Sequence, residues 1–388
     1  MGKTLVNIVT EDNPIPAYLF VKEMYEEGDF LLLISAKDTE DDLDHLSEIV
    51  GVPQRNIIEI VLKNDIDEFR YELICRTLRN KLSSECRYFV NLAGGTRYMA
   101  LAVQQAFEDY NSCFYYVNVE DNQIIQSKFD DSIYNDDDYG FGIRHRMNVT
   151  EYLDIHDMEH DTKRENLQPI FPLEMARTML ELFTKGGLNQ GDFKILEMLR
   201  NTYRNCHYVN FHEFENRMSK NSKYVPKIEK LLDRIGLTPK GDNILVREEV
   251  EWLTGGWFEE YIYYIVKEAI QPDDIVRGIH IWDEKAYRRR NELDVTFIKN
   301  NKLFVIECKT GIETERMFNE IVYKVCALRE SLLGISCTSY IFTLKEDAKD
   351  TLTPLAESMD IKLVDKDILL NENLLALEWA RIKQIACV

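Results

Sequence analysis

Three residues in the last third of the chain have the types and spacing of a hydrolytic site. Asp294 lies in ELDVTFIK, and Glu307 and Lys309 lie in KLFVIECKT, with Asn300-Asn301 as a tight turn between the two runs. Side chains on a strand repeat every two residues, so Glu307 and Lys309 share a face and Cys308 points the other way, into the core. Asp294 on the neighbouring strand reaches the same face, which brings two carboxylates and an ammonium to one sheet edge. The chemistry that uses such a set is metal-assisted phosphodiester hydrolysis. Asp294, Glu307 and the backbone carbonyl of Cys308 offer hard oxygen ligands for Mg²⁺ or Mn²⁺. The metal polarises the phosphate and generates the attacking hydroxide. Lys309 holds or deprotonates the water, or stabilises the developing charge. Glu259 or Glu260 on the preceding helix completes the shell, and the basic run Lys285, Arg288, Arg289 and Arg290 is placed to guide a nucleic-acid backbone. The competing reading is an exposed Glu307–Lys309 ion pair, which would be weak. The apolar flanks VIE and LDV argue against it, because a charge triad on buried strands needs a compensating partner and a metal provides one.

The elements that must position these residues begin near Val250. GGWFEEYIYYIVKEAI reads as a helix with an apolar side, followed by strands IVRGIHIW, ELDVTFIK and KLFVIECKT. A helix (MFNEIVYKVCALRESLLG), a strand (TSYIFTL), a helix (KEDAKDTLTPLAESM) and a strand (IKLVD) come next, so the sheet is mixed. Residues 4–126 alternate between strand and helix patterns and end in two consecutive strands, which implies a mostly parallel, Rossmann-like sheet with helices on both faces. Ligands of such sheets sit beyond the carboxyl ends of the strands. Two loops fit that place: TEDNP (Thr10–Pro14) and NLAGGTRYM (Asn91–Met99), where Gly94-Gly95 permits close backbone approach and Thr96 caps a helix. An ordinary glycine turn with a helix cap accounts for the second loop equally well on local pattern.

Residues 127–145 read as an acidic linker or exposed loop, and residues 150–171 as a solvated segment in which His156 and His160 lack a third metal ligand. Residues 172–250 read as short helices closed by a small hairpin at LTPKGDNILV. A winged-helix-like module fits this order, and a connecting helical region fits it better, since no helix there has a basic face.

The 388 residues, 45% of them hydrophobic, suffice for two cores. The net charge of −21 argues against general nucleic-acid binding, so any such contact is local. Eight scattered cysteines without zinc spacing, no signal-like N-terminus and no membrane-length apolar run lead us to expect a reduced, cytoplasmic protein with no membrane partner.

An Asp, twelve intervening residues and then E-x-K, all after a helical Glu, resembles the PD-(D/E)xK nuclease superfamily, with Leu293 standing where the superfamily's Pro precedes the Asp. A Rossmann-like domain carrying NLAGGTRYM after its fourth strand resembles a CARF domain, the sensor of type III CRISPR defence. Together the halves resemble the Card/Can family of CRISPR ancillary nucleases. The resemblance implies an α/β fold divided into a CARF domain (1–145), a helical connector (146–249) and a restriction-endonuclease-like nuclease domain with a mixed sheet (250–388). It implies a homodimer that binds cyclic tetra-adenylate across its two-fold axis and is thereby licensed to cleave single-stranded DNA and RNA with Mn²⁺ or Mg²⁺. Carried onto this sequence, the ligand positions are Thr10, Asn13, Gly94, Gly95, Thr96 and Arg97. The catalytic and metal positions are Asp294, Glu307, Lys309 and Glu259, with Glu260 open as the alternative to Glu259 and Lys324 expected to face the site from the following helix. The rival reading is a CARF-type, ligand-responsive DNA-binding regulator without nuclease activity. A CARF domain that degrades its own ring nucleotide is a third.

Overall fold

The computed structural model describes all residues except 1, 10–12, 37–39, 63–69, 128–139, 162, 189, 203–207, 211–223, 240, 242–243, 283–289, 312–313, 330–336, 346–347 and 388. Thr10, the expected helix FHEFENRMSK and most of the basic run (Lys285, Arg288, Arg289) therefore lie outside the described residues.

The first sheet has seven strands. They are β1 (Thr4–Ile8), β2 (Phe30–Ala36), β3 (Ile57–Leu62), β4 (Tyr88–Asn91), β5 (Ser112–Asn118), β6 (Gln123–Ser127) and β7 (Gly140–Gly142), in the spatial order β3-β2-β1-β4-β5-β6-β7. The first five run parallel and the last two antiparallel. The inner strands β1 and β2 are near-continuous apolar runs because both faces are covered, with α1 (Ile15–Met24), α2 (Glu40–Ile49), α3 (Tyr71–Arg79) and α4 (Arg97–Phe107) packing on the sheet. The strand order reverses between β1 and β4, so the loops after these two strands face one crevice.

Of the expected acidic loop at 127–145, residues 128–139 lie outside the described residues. Gly140–Gly142 is the edge strand of this sheet, and Ile143 and Met147 beyond it are buried. Residues 150–171 are not a solvated segment. Helix α5 (Val149–Ile155), closed by an Asn148–Glu151 capping box, buries Val149, Tyr152, Leu153 and Ile155. His156 is half-buried, donates Nδ1–H to the Tyr152 carbonyl at 2.9 Å and stacks on that ring. His160 is paired with Asp154 at 2.9 Å. Both histidines have structural partners.

In the segment expected to be a helical connector, α6 (Leu173–Thr184), α7 (Gln190–Thr202) and α8 (Tyr224–Ile235) form as read. Strands contribute as well. Glu159–His160 (β8) adds to the edge of the C-terminal sheet. Ile244–Val246 (β10) pairs antiparallel with Tyr208–Asn210 (β9) instead of folding on its own run as a hairpin.

The second sheet runs β15-β14-β13-β12-β11-β8, with β11 (Asp274–Trp282), β12 (Arg290–Lys299), β13 (Lys302–Lys309), β14 (Cys337–Thr343) and β15 (Ile361–Val364). It is mixed as expected: β11–β12–β13 are antiparallel and β13–β14–β15 parallel. One face packs on α10 (Trp257–Ile270), which follows the short helix α9 (Arg247–Glu251) and one π-helical turn at Trp252–Gly256. Helices α11 (Glu315–Leu328) and α12 (Ala348–Ser358) pack together against Ile341 and Ile361. The chain ends in α13 (Lys366–Leu370) and α14 (Glu372–Cys387), two helices the sequence reading did not foresee.

The two sheets share an apolar cluster centred on α5, which holds Leu5, Leu31 and Val117 of the first sheet and Val276, Ile279, Leu293 and Ile298 of the second. Polar contacts fix the join. The turn of the β12–β13 hairpin is Asn300-Asn301, both with positive φ, as a two-residue hairpin requires. Asn301 is fully buried there. Its Oδ1 accepts the Met147 N–H (2.9 Å), and its Nδ2 donates to Asn122 Oδ1 (2.9 Å) and to the His145 carbonyl (3.0 Å). Asp274 Oδ2 likewise accepts the Val149 N–H at 2.8 Å.

Candidate active site

The β12–β13 ladder runs from Lys299↔Lys302 to Val295↔Ile306. At Asp294 the side chain takes over from the backbone: its Oδ2 accepts the Cys308 N–H at 2.7 Å. Lys309 Nζ then stands 3.2 Å from Asp294 and 2.8 Å from Glu307 Oε1. Asp294 and Glu307 are buried, while Cys308 points into the core shared with α10. The structure thus brings together the three residues that the strand period placed on one edge. β13 is an inner strand, paired with β14 through Glu307↔Ile341 and Lys309↔Thr343, which makes a rigid platform.

Lys324 reaches the same cluster from α11, with Nζ 3.2 Å from Glu307 Oε1 and 3.3 Å from Oε2. Glu259 and Glu260, adjacent at the start of α10, have different fates. Glu260 is fully buried and accepts three N–H donors: Ile170 (2.5 Å), Phe171 (3.2 Å) and Trp252 Nε1 (2.8 Å). It ties the 170–171 segment to α10. Glu259 keeps about a fifth of its side chain exposed and lies in the field of Asp294, Glu292 and Lys309, with Arg277 Nη1 at 3.5 Å.

Electrostatics follow from crowding carboxylates out of water. Burial, then the Glu307 charge, pushes the Asp294 carboxyl up to about 6, against the pull of Lys309 and the Cys308 N–H. Burial, then Asp294, pushes Glu259 up to about 8, against Arg277. Burial lowers the Lys309 pKa, but Asp294 and Glu307 outweigh it, so its pKa is raised and the ammonium form is held. Burial also raises the Cys308 thiol well above its ordinary range, which leaves that side chain no nucleophilic role.

Two buried carboxylates and the Cys308 carbonyl offer hard-oxygen donors, and the two carboxylates already converge on one cation, the Lys309 ammonium. That chemistry fits a divalent ion. Among the described residues no group of three or more His, Cys, Asp or Glu is gathered at metal-binding distance, so Glu259 is not drawn in with the other two carboxylates. Mg²⁺ sites commonly use one or two carboxylates and keep several waters, so the set remains adequate.

At the crevice of the first sheet, the glycine loop packs on the end of β1. A Cβ at Gly94 would stand 2.2 Å from the Ile8 carbonyl oxygen, and one at Gly95 (φ +71°) 2.5 Å from the Ile8 side chain. Glycine is required at both positions by close approach. Thr96 Oγ1 accepts the Met99 N–H at 3.2 Å and caps α4, while Arg97 is exposed. Asn13 lies half-buried at the entrance to α1, across the reversal point. A residue the sequence reading missed anchors this crevice: buried Asn91 accepts the Ala93 N–H (3.0 Å) and donates to Asn7 Oδ1 (2.9 Å). Its signal was a polar residue at the end of an apolar strand.

Residues 4–152 match the family described as Card1 CARF domain, and residues 246–382 the one described as Card1-like, endonuclease domain. Protein VC1899 from Vibrio cholerae has a similar crystal structure, with a TM-score of 0.74 at 18% identity over 100% of this chain and 99% of that one. Can2 from Sulfobacillus thermosulfidooxidans, solved in complex with cyclic tetra-adenylate, gives 0.66 at 19% identity over 99% of each chain. A type III CRISPR defence DNA nuclease activated by cyclic oligoadenylate gives 0.52 at 14% identity over 88% of this chain and 45% of that one. No curated protein matches the chain. Among the described residues no helix is long and apolar enough to cross a membrane. The reversal crevice lies in the segment matched as CARF, and the Asp294–Lys309–Glu307 cluster in the segment matched as endonuclease, so the chain belongs to the Card1-like family of CARF nucleases.

Proposed function

We propose that this chain is a nuclease of type III CRISPR defence, switched on by cyclic tetra-adenylate and cleaving single-stranded DNA and RNA in the presence of Mn²⁺ or Mg²⁺. The observation that carries the reading is Lys309 held between two buried carboxylates in the endonuclease domain. A ligand-responsive DNA-binding regulator has no use for such a cluster, which is costly to bury.

Asp294, Glu307 and the Cys308 carbonyl would hold the divalent ion, with Glu259 at the rim. When bound, the ion supplies Lewis-acid polarisation of the phosphate and a nucleophilic hydroxide. The rest falls to the chain. Lys309, held as an ammonium, orients a water and neutralises charge that develops on the phosphoryl oxygens. Lys324 fixes the Glu307 carboxylate from the side of α11.

The ring nucleotide would sit in the crevice at Asn13, Gly94, Gly95, Thr96 and Arg97, shared with a second copy across a two-fold axis, with Thr10 a further candidate on sequence alone. The bare Gly94–Gly95 backbone and the N-terminus of α4 suit its phosphates. A physical path leads from there to the nuclease site. Helix α1 begins just behind Asn13, its Tyr18 donates to Glu151, and its Glu23 accepts the Arg144 (2.8 Å) and His145 (2.5 Å) N–H groups. This 144–151 strap holds Asn301, the turn of the hairpin whose other end carries Asp294 and Glu307.

The test is cleavage of labelled single-stranded DNA and RNA with Mn²⁺, with and without cyclic tetra-adenylate, beside Glu307→Ala. Cleavage only with the ring nucleotide, and none by the variant, supports the reading. Ring-nucleotide binding without cleavage in any metal would turn it into the regulator.

A further inference from the structure

Arg277 has no role in the sequence motif, yet it stands beside Glu259, the carboxylate at the rim of the cluster. It sits on β11, paired with Val295, the neighbour of Asp294. The next residue, Gly278, has φ +63° and falls between the pairs Arg277↔Val295 and Ile279↔Leu293, level with Asp294. Val276 and Ile279, three residues apart, belong to the same apolar cluster on the α5 side. The left-handed glycine therefore resets the strand alternation at this point and leaves Arg277 turned toward α10.

Its bonds there are loose. Nη1 is 3.5 Å from Glu259 and Nη2 3.7 Å from Glu260, against about 2.7–2.9 Å for a charge-assisted hydrogen bond. Its Nε is buried and has no hydrogen-bond partner among the described residues. Glu260 does not need this cation, since three N–H groups already satisfy it. A mostly buried guanidinium with two long ion pairs and an unmade bond at Nε, one position from the level of Asp294, has donor capacity left for a further acceptor.

We propose that Arg277 is a further substrate-contacting residue of the nuclease site, whose guanidinium takes the non-bridging oxygens of a substrate phosphate next to the carboxylate cluster. The planar fork matches two phosphate oxygens, and it supplies a local cation in a chain whose net charge of −21 otherwise repels nucleic acid. The proposal rests on the nuclease reading above.

The test uses the full chain with cyclic tetra-adenylate and a fluorescent oligodeoxythymidylate in EDTA, where binding is measured over a salt series without cleavage. Arg277→Gln is expected to weaken binding and to flatten the slope of log affinity against log salt by about 0.7, the value of one single-strand phosphate contact. With Mn²⁺ its cleavage is expected to fall about a hundredfold, the order seen when one stabilising donor is removed. Arg277→Lys keeps the charge facing Glu259 and Glu260, so it restores the slope but recovers cleavage only in part. An unchanged slope in Arg277→Gln, or a wild-type chain with no salt-dependent binding, overturns the proposal. So does a lowered melting temperature with the slope unchanged, which would make Arg277 a counter-ion of Glu259 and Glu260. Should Arg277→Gln fail to fold, full cleavage by Arg277→Lys sinks the proposal and a reduced rate supports it. A wild-type chain that cleaves nothing would sink the nuclease reading, while a flattened slope would still report the phosphate contact.

Discussion

Asp294 Oδ2 accepts the Cys308 N–H at 2.7 Å, so a side chain closes the ladder between two strands at the point where their backbones no longer pair. The carboxylate is thereby fixed one residue from Glu307, and its charge is trapped near a second one.

That arrangement has a pH signature. Asp294 titrates at about 6 in the fold against an ordinary 3.8, so between those values the folded chain keeps a proton that the unfolded chain has lost. Its ionised form is destabilising, and stability falls as pH rises across that window, by on the order of 3 kcal/mol in all. Asp294→Asn keeps an acceptor for the Cys308 N–H and removes the charge. In EDTA at pH 7.5 the variant should melt higher than wild type and fall less steeply between pH 4 and pH 6, where Glu259 still contributes, while cleavage is lost. A variant with the wild-type pH profile would contradict the assignment.

Lys324 bonds both oxygens of Glu307 from a different element. Losing one charged hydrogen bond of roughly 1.5 kcal/mol corresponds to about a tenfold slower reaction. Lys324→Met should show that drop in kcat for labelled single-stranded DNA, with ring-nucleotide affinity unaltered. An unchanged rate would reduce Lys324 to a surface counter-charge.

Asn301 makes three hydrogen bonds into the 122–147 region from the hairpin turn. Asn301→Asp retains the acceptor for Met147 and loses the donor to Asn122 and His145. It should cost about 1–3 kcal/mol of stability in a denaturant melt, because a buried carbonyl and amide oxygen lose their donor. Cyclic tetra-adenylate should still bind, and the stimulation of cleavage should drop several-fold. Full stimulation would show that the activating change passes elsewhere.

Gly94→Ala places a methyl carbon 2.2 Å from the Ile8 carbonyl, where neither backbone can yield cheaply. The loop must move, and ring-nucleotide affinity by calorimetry should fall at least about tenfold. Binding at wild-type strength would remove this loop from the ligand site.

Much of the site was legible because it obeys short-range rules. The two-residue period put Glu307 with Lys309 and turned Cys308 inward, and Asn300-Asn301 fixed the hairpin that brings Asp294 across. The choice between Glu259 and Glu260 was not legible, since adjacent helical residues differ by a rotation that only the partners of Glu260 reveal. Arg277 carries no signal of its own in the sequence, where the glycine after it in VRGIHIW is the local cue to a break in strand alternation. The pairing of Ile244–Val246 with Tyr208–Asn210 rests on partners more than thirty residues apart, which no local period can report. Asn301 read as a turn former alone, whereas burial against another domain gives its side chain a second duty.

The Asn301 clamp also works in reverse. A mechanical link between two binding events is a thermodynamic one, and the factor by which the first favours the second is the factor by which the second favours the first. If the strap transmits messenger binding to the hairpin, nucleic acid seated at Asp294 and Glu307 must in turn tighten the grip on the messenger. A chain engaged on its substrate would then release the signal more slowly than an idle one, and would keep working for a time after the signal in solution had decayed.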